Sequence, residues 1–312
     1  MSLCDFTKKW ESTPSISGTY QRVDSEHILD IFIGKENNSL KHLLLVSENE
    51  PIKIKSCKVL EIEKGIREDG QWATKIMLLN KEEDSVFISL CFDLIEHSRA
   101  GLTISEALKL FILRFIEWQK LMEKGASLLS RETIRGLIGE IVFMKDFLCK
   151  KMSWDMAMSA WLGLDKGDKD FVFYDTWVEV KTITPSKNFV TISSIEQLTS
   201  DLVGTLCVIE LDNTSSSDIR GFTLNSLIIE MKDLLKSNHN ALYEFDNKLL
   251  KIGYYEHKDY DDIFYNVNKV SMFRVDENFP KLKKGDIPAG ILNARYDVSL
   301  ELISEFKIIK EL

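Results

Sequence analysis

From Trp10 to about Leu94 the apolar residues come in short runs, at Ile28–Ile33, His42–Val46, Ile52–Ile62, Ala73–Leu79 and Ser85–Phe92. Polar connectors such as Gly34–Asn38 and Arg67–Gly70 separate them, which predicts strands in an antiparallel meander or small barrel. Ser105–Lys124 changes period. Ala107, Leu108, Phe111, Ile112, Phe115, Trp118, Leu121 and Met122 recur at helical spacing behind the capping candidates Thr103 and Ser105. That helix is apolar around much of its girth, as expected of one buried between two halves of a protein. Gly125–Ser127 follows as the best linker, so two domains are expected, 1–125 and 126–312.

The second part opens with a helix over about Arg131–Lys151, capped by Ser130. Ile134, Leu137, Ile138, Ile141 and Leu148 form its apolar stripe, and Glu132, Arg135, Gly139, Asp146 and Lys150 its wet side. Glu140 falls at the apolar margin, near Gly136, Met144 and Phe147. A carboxylate there is costly without a partner; the plain alternative is a rim glutamate reaching to water. Asp168–Thr182 then alternates apolar and polar residues on both sides of Tyr174–Thr176, the pattern of two strands joined by a tight turn. Next come a short helix at Ile195–Asp201, an apolar strand at Leu202–Leu211 and a helix near Leu224–Lys236. Strands at Leu250–Tyr255 and Val270–Val275 and a last helix from about Ser299 complete the expected order. The class is α+β: an antiparallel β-rich part, then an α/β core with a mixed central sheet flanked by helices.

Composition narrows the function. The chain has 312 residues, 44% hydrophobic and 29% charged, within the globular range. No apolar run approaches the roughly 18 residues that span a bilayer, and the start lacks the basic and apolar regions of a signal peptide, so no membrane association and a cytoplasmic location are expected. Five scattered cysteines with no Cys-x-x-Cys argue against disulfide scaffolds and zinc ribbons. The absence of His-Glu-x-x-His and of a phosphate-cradling Gly-Lys-Ser/Thr loop excludes zinc peptidases and P-loop ATPases. A net charge of −9 counts against a chain whose main role is coating nucleic acid, although basic residues can act locally. Lys281, Lys283, Lys284 and Arg295 form the densest basic segment, either a backbone contact or a solvated loop.

The chemistry concentrates in the hairpin. In its second arm Val178 and Val180 share one face and Glu179 and Lys181 the other. A loop at Tyr174–Asp175 sets Asp170 opposite Glu179, and a loop at Asp175–Thr176 sets it opposite Lys181; both put Asp170 on the Glu179/Lys181 face. Two carboxylates and an ammonium there can bind a hard divalent cation and keep a lysine beside the reacting group, which outlines a phosphodiester-cleaving site.

Asp170 followed by Glu179-Val180-Lys181 resembles the Asp…(Asp/Glu)-x-Lys signature of the PD-(D/E)xK phosphodiesterase superfamily, with its restriction-endonuclease-like fold. Gly136-Leu137-Ile138-Gly139-Glu140 resembles the acidic helix preceding that hairpin. With Trp161-Leu162-Gly163 and Gln197-Leu198, the set is similar to uncharacterised members found in bacterial restriction and phage-defence gene clusters. Lys169 departs from the pattern by standing where the name calls for proline, which leaves the choice between Asp168 and Asp170; Asp170 is preferred because it leads directly into Phe171-Val172-Phe173. Gly136 and Gly139 would admit either the sheet or a nucleic-acid phosphate. The resemblance implies Glu140, Asp170, Glu179 and Lys181 as catalytic residues. It implies the three carboxylates as ligands of Mg²⁺, with Mn²⁺ able to substitute, and Gln197 as a DNA or phosphate contact or a solvated residue. Expected partners are double-stranded DNA and a second copy or other defence-system subunits. A non-catalytic binding or assembly subunit on the same fold is the competing expectation.

Overall fold

The computed structural model describes residues 1–16, 18–36, 40–50, 54–80, 83–123, 125, 127–163 and 168–308. Parts of the expected Gly34–Asn38 connector, the Ile52 run, the 125–127 linker, the loop before Asp168 and the terminal helix lie outside them. The chain forms two compact units, Met1–Leu128 with Gly253–His257, and Leu129–Ile252 with Lys258–Leu312.

The first unit holds a five-stranded antiparallel sheet in the order β1-β2-β3-β5-β4, from Tyr20–Arg22, Asp30–Lys35, Lys41–Ser47, Leu60–Ile66 and Trp72–Leu78. Its helices are α1 (Leu3–Ser12), α2 (Asp84–Ser98) and α3 (Ile104–Glu123). Two stretches expected as strands are helical. Trp10 lies in α1, which Ser2 and Asp5 start with a capping box, and Ser85–Phe92 lies in α2. In α2 the residues Val86, Phe87, Ile88, Leu90, Cys91, Leu94 and Ile95 are all buried, so burial on nearly every side erased the periodicity that tells helix from strand.

The second unit carries a four-stranded mixed sheet in the order β10-β9-β7-β6, made of β6 (Phe171–Val172), β7 (Trp177–Ile183), β9 (Gly204–Thr214) and β10 (Phe264–Val275). Strands β7 and β9 run parallel, and the two outer pairs antiparallel. A separate pair joins β8 (Phe189–Ile192) to β11 (Tyr296–Ser299). The helices are α4 (Arg131–Phe143), α5 (Trp154–Ala160), α6 (Leu224–Leu235) and α7 (His239–Ile252). The fold class is therefore α+β with an antiparallel sheet first and a mixed sheet second, as expected.

Several boundaries moved. Helix α4 stops at Phe143 and a π-helical turn, Met144–Leu148, ends the segment expected to run to Lys151. Residues Leu250–Ile252 close α7 instead of opening a strand, and after Ser299 the described chain makes only a 3₁₀ turn at Ser304–Phe306. Both errors come from short apolar runs whose partners decide their conformation. Among the described residues no helix is long and apolar enough to cross a membrane.

Candidate active site

Hairpin geometry settles the first question. Phe171 pairs with Val178 and Val172 with Trp177, and Phe173 N donates to Thr176 O at 2.9 Å. The loop is thus Tyr174–Asp175, and the register sets Asp170 opposite Glu179. Its tip is tied down: Thr176 Oγ1 donates to Val203 O at 2.9 Å and Trp177 Nε1 to Leu202 O at 3.0 Å. Trp177 lies against Gly204, where a Cβ would stand 2.1 Å from the indole, so a side chain at 204 would displace the ring.

Strand β6 begins after Asp170, and the aspartate side chain does the work of a missing strand. Asp170 Oδ2 accepts from Val180 N at 2.7 Å on the edge of β7. Asp168 is exposed. Glu179 is 1% exposed, and the Lys181 ammonium lies 2.8 Å from its Oε1. That ion pair is the contact Glu179 has: beyond it, neither carboxylate oxygen has a hydrogen-bond donor among the described residues. Lys181 Nζ also donates to Gln197 Oε1 at 3.1 Å, and that oxygen accepts from Ser193 N at 2.8 Å.

Helix α4 brings the third carboxylate. Ser130 Oγ caps its start by accepting from Thr133 N at 3.1 Å. Gly139, expected on the wet side of the helix, is instead buried: a Cβ there would stand 2.6 Å from Thr182 Cγ2 and 3.3 Å from Val180 Cγ1, so this glycine lets α4 press onto β7. A Cβ on Gly136 would meet nothing within 4 Å. Of the two roles open to these glycines, contact with the sheet therefore holds for Gly139. Glu140 is half-buried, and its Oε2 accepts from Trp161 Nε1 at 2.6 Å. The sequence offered Trp161 only as part of a resemblance; its indole donor is a contact that spacing along the chain does not reveal.

These groups sense one another. Burial pushes the Glu140 carboxyl up to about 8, Asp170 and Glu179 add to the rise, and the Trp161 hydrogen bond and Lys181 oppose it. Burial likewise pushes Glu179 up to about 8, with Asp170 adding and Lys181 opposing. Asp170 is raised by burial, against the Val180 amide and Lys181. Three carboxyl groups thus share a largely buried site with the Lys181 ammonium, and Lys169 acts on Glu179 from farther off, which leaves an excess of negative charge. The basic segment is less uniform than its sequence suggested: Asp276 and Glu277 act on Lys281, and Asp286 Oδ2 accepts from Lys283 N at 2.9 Å.

Among the described residues no three His, Cys, Asp or Glu side chains already stand in metal-holding positions. The donors nevertheless fit a hard cation. Glu179 presents two buried oxygens with no donor but Lys181, and burial first, then neighbouring carboxylates, makes these groups resist ionisation, which a cation among them would relieve. Mg²⁺ commonly uses one or two carboxylates and fills the rest of its shell with water, so a preformed cage is not required.

A family model described as "Putative PD-(D/E)XK family member, (DUF4420)" matches residues 7–301. The chain belongs to this family. The match supports the resemblance drawn from Asp170, Glu179, Lys181 and Glu140, and it extends through the first unit as well as the second. PD-(D/E)xK nucleases generally use divalent metals. No curated protein and no solved structure matches the chain.

Proposed function

We propose that this PD-(D/E)xK family member is a metal-dependent DNA endonuclease acting in a restriction or phage-defence system. One observation carries the reading: a glutamate buried to 1% exposure, with no donor to its oxygens but Lys181, held between an aspartate and that lysine. A structural carboxylate at that depth would be satisfied by several aligned donors, because leaving it with one ion pair alone costs stability with no structural return. Strain of this kind is characteristic of functional sites.

Asp170, Glu179 and Glu140 are the residues that would hold Mg²⁺ or Mn²⁺. A divalent ion supplies a polarised phosphate oxygen and a bound water of lowered pKa. The chain's own contribution is positional. Asp170 is fixed by the Val180 amide and Glu140 by the Trp161 indole, so both carboxylates present defined oxygens. Lys181 Nζ, held between Glu179 Oε1 and Gln197 Oε1, brings a compact positive charge to the place where negative charge grows on the phosphorus oxygens. Cutting both strands of a duplex calls for two such sites, supplied by a second copy or by another subunit.

The test is supercoiled plasmid and linear duplex incubated with Mg²⁺ or Mn²⁺, comparing wild type with Asp170→Ala and Lys181→Ala. Cutting by wild type alone, with each variant slowed by about a hundredfold or more, is the expected result. Equal cutting by all three would refute the catalytic assignment of Asp170 and Lys181, and no cutting by any would move the chain to the non-catalytic subunit reading.

A further inference from the structure

Lys169 stands one residue before Asp170, where the superfamily signature has proline, and the proposed mechanism gives it no task. Its ammonium is engaged on three sides. It lies 4.4 Å from the centre of the Trp177 ring, donates to Thr199 O at 2.9 Å and donates to Glu196 O. A solvated lysine on a loop forms no such set, and burial lowers its pKa.

The two carbonyls identify what is being held. Ile195–Gln197 is a single 3₁₀ turn, closed by Leu198 N donating to Ile195 O at 3.4 Å. A turn this short leaves most of its carbonyls without internal partners, and a cation at its C-terminal end both satisfies and favours them. Thr199 Oγ1 caps Ile195 O at 2.9 Å, and Lys169 takes the next free carbonyl, Glu196 O, together with Thr199 O. The turn carries Gln197, and Gln197 Oε1 holds Lys181. The ring under Lys169 is Trp177, the first residue of β7, which also carries Glu179 and Lys181. A proline at position 169 could make none of these contacts.

We propose that Lys169 is a positioning residue, a latch that fastens the Ile195–Gln197 turn to the hairpin and so keeps Gln197 Oε1 on the Lys181 ammonium. This rests on the nuclease reading for its consequence, but the latch itself is a property of the fold and can be tested apart from it.

The experiment compares wild type, Lys169→Met and Lys169→Arg by hydrogen exchange over peptides spanning Ser193–Asp201 and by plasmid-cutting kinetics. Methionine keeps the length of the stem and removes the donors; arginine restores donors and can stack on the indole. The expected result is faster exchange across Ser193–Asp201 in Lys169→Met, with exchange in the first-unit strands unchanged. With it, kcat should fall about tenfold while KM stays within about twofold, and Lys169→Arg should recover most of both changes. Exchange over Ser193–Asp201 equal to that of wild type in Lys169→Met would overturn the latch, as would an arginine variant indistinguishable from the methionine one. If the wild-type chain cuts no DNA, the exchange comparison still decides the latch, so its failure and that of the nuclease reading remain separable.

Discussion

Replacing Glu179 by glutamine should stabilise the metal-free protein at alkaline pH and do nothing for it near pH 5. The folded state lifts this carboxyl from 4.5 to about 8, chiefly by burial. Between those values the folded protein keeps a proton that the unfolded chain has released, so stability falls as pH rises through the window and is fully present only below about pH 4.5. At about 1.4 kcal/mol per pH unit the whole rise corresponds to at most about 5 kcal/mol above pH 8. Glutamine keeps the volume and still offers Lys181 an oxygen, but loses the ionic attraction at 2.8 Å, which takes back part of that figure. A gain of about 2–3 kcal/mol at pH 8.5 is therefore expected. Urea unfolding in EDTA at half-unit steps from pH 5 to pH 9 measures it. The wild-type curve should fall across the range, while the Glu179→Gln curve falls less steeply, keeping the slope due to Glu140. Excess Mg²⁺ should close the gap at pH 8.5 by stabilising the wild type more than the variant. Curves that run parallel at every pH, or a variant less stable than wild type at pH 8.5, would refute the argument that burial of Glu179 costs more than Lys181 returns.

The two helix glycines should respond differently: Gly139→Ala drives a methyl into Thr182 and should cost about 1–3 kcal/mol in thermal melts. Gly136→Ala meets open space and should be neutral or stabilising by about 0.5–1 kcal/mol. Trp161→Phe removes the hydrogen bond that favours ionised Glu140, so that carboxyl should rise further. In EDTA the loss of stability with rising pH that Glu140 causes should then extend to higher pH in the variant, and an unchanged slope in urea unfolding would refute the coupling of Trp161 to Glu140.

Sequence alone settled what local pattern can settle. Val178 and Val180 alternating with Glu179 and Lys181 placed the acid and the lysine on one strand face, because successive strand side chains must oppose. The helix behind Ser130 and the position of Glu140 on its margin followed from the 3.6-residue period. Parity carried Asp170 to the same face but left two registers, and the Phe173–Thr176 hydrogen bond chose between them. Helix α2 was misread because a segment buried on nearly every side has no polar phase from which to take a period. The contacts that make a site of these residues join positions far apart in the chain: Trp161 to Glu140, Lys181 to Gln197, and Lys169 to the carbonyls of Glu196 and Thr199. Sequence fixes which chemical groups a strand or helix can present. Only the packing of α4, the hairpin and the 195–197 turn against one another determines which of them share a largely buried, negatively charged space, since burial and charge proximity are properties of the folded chain.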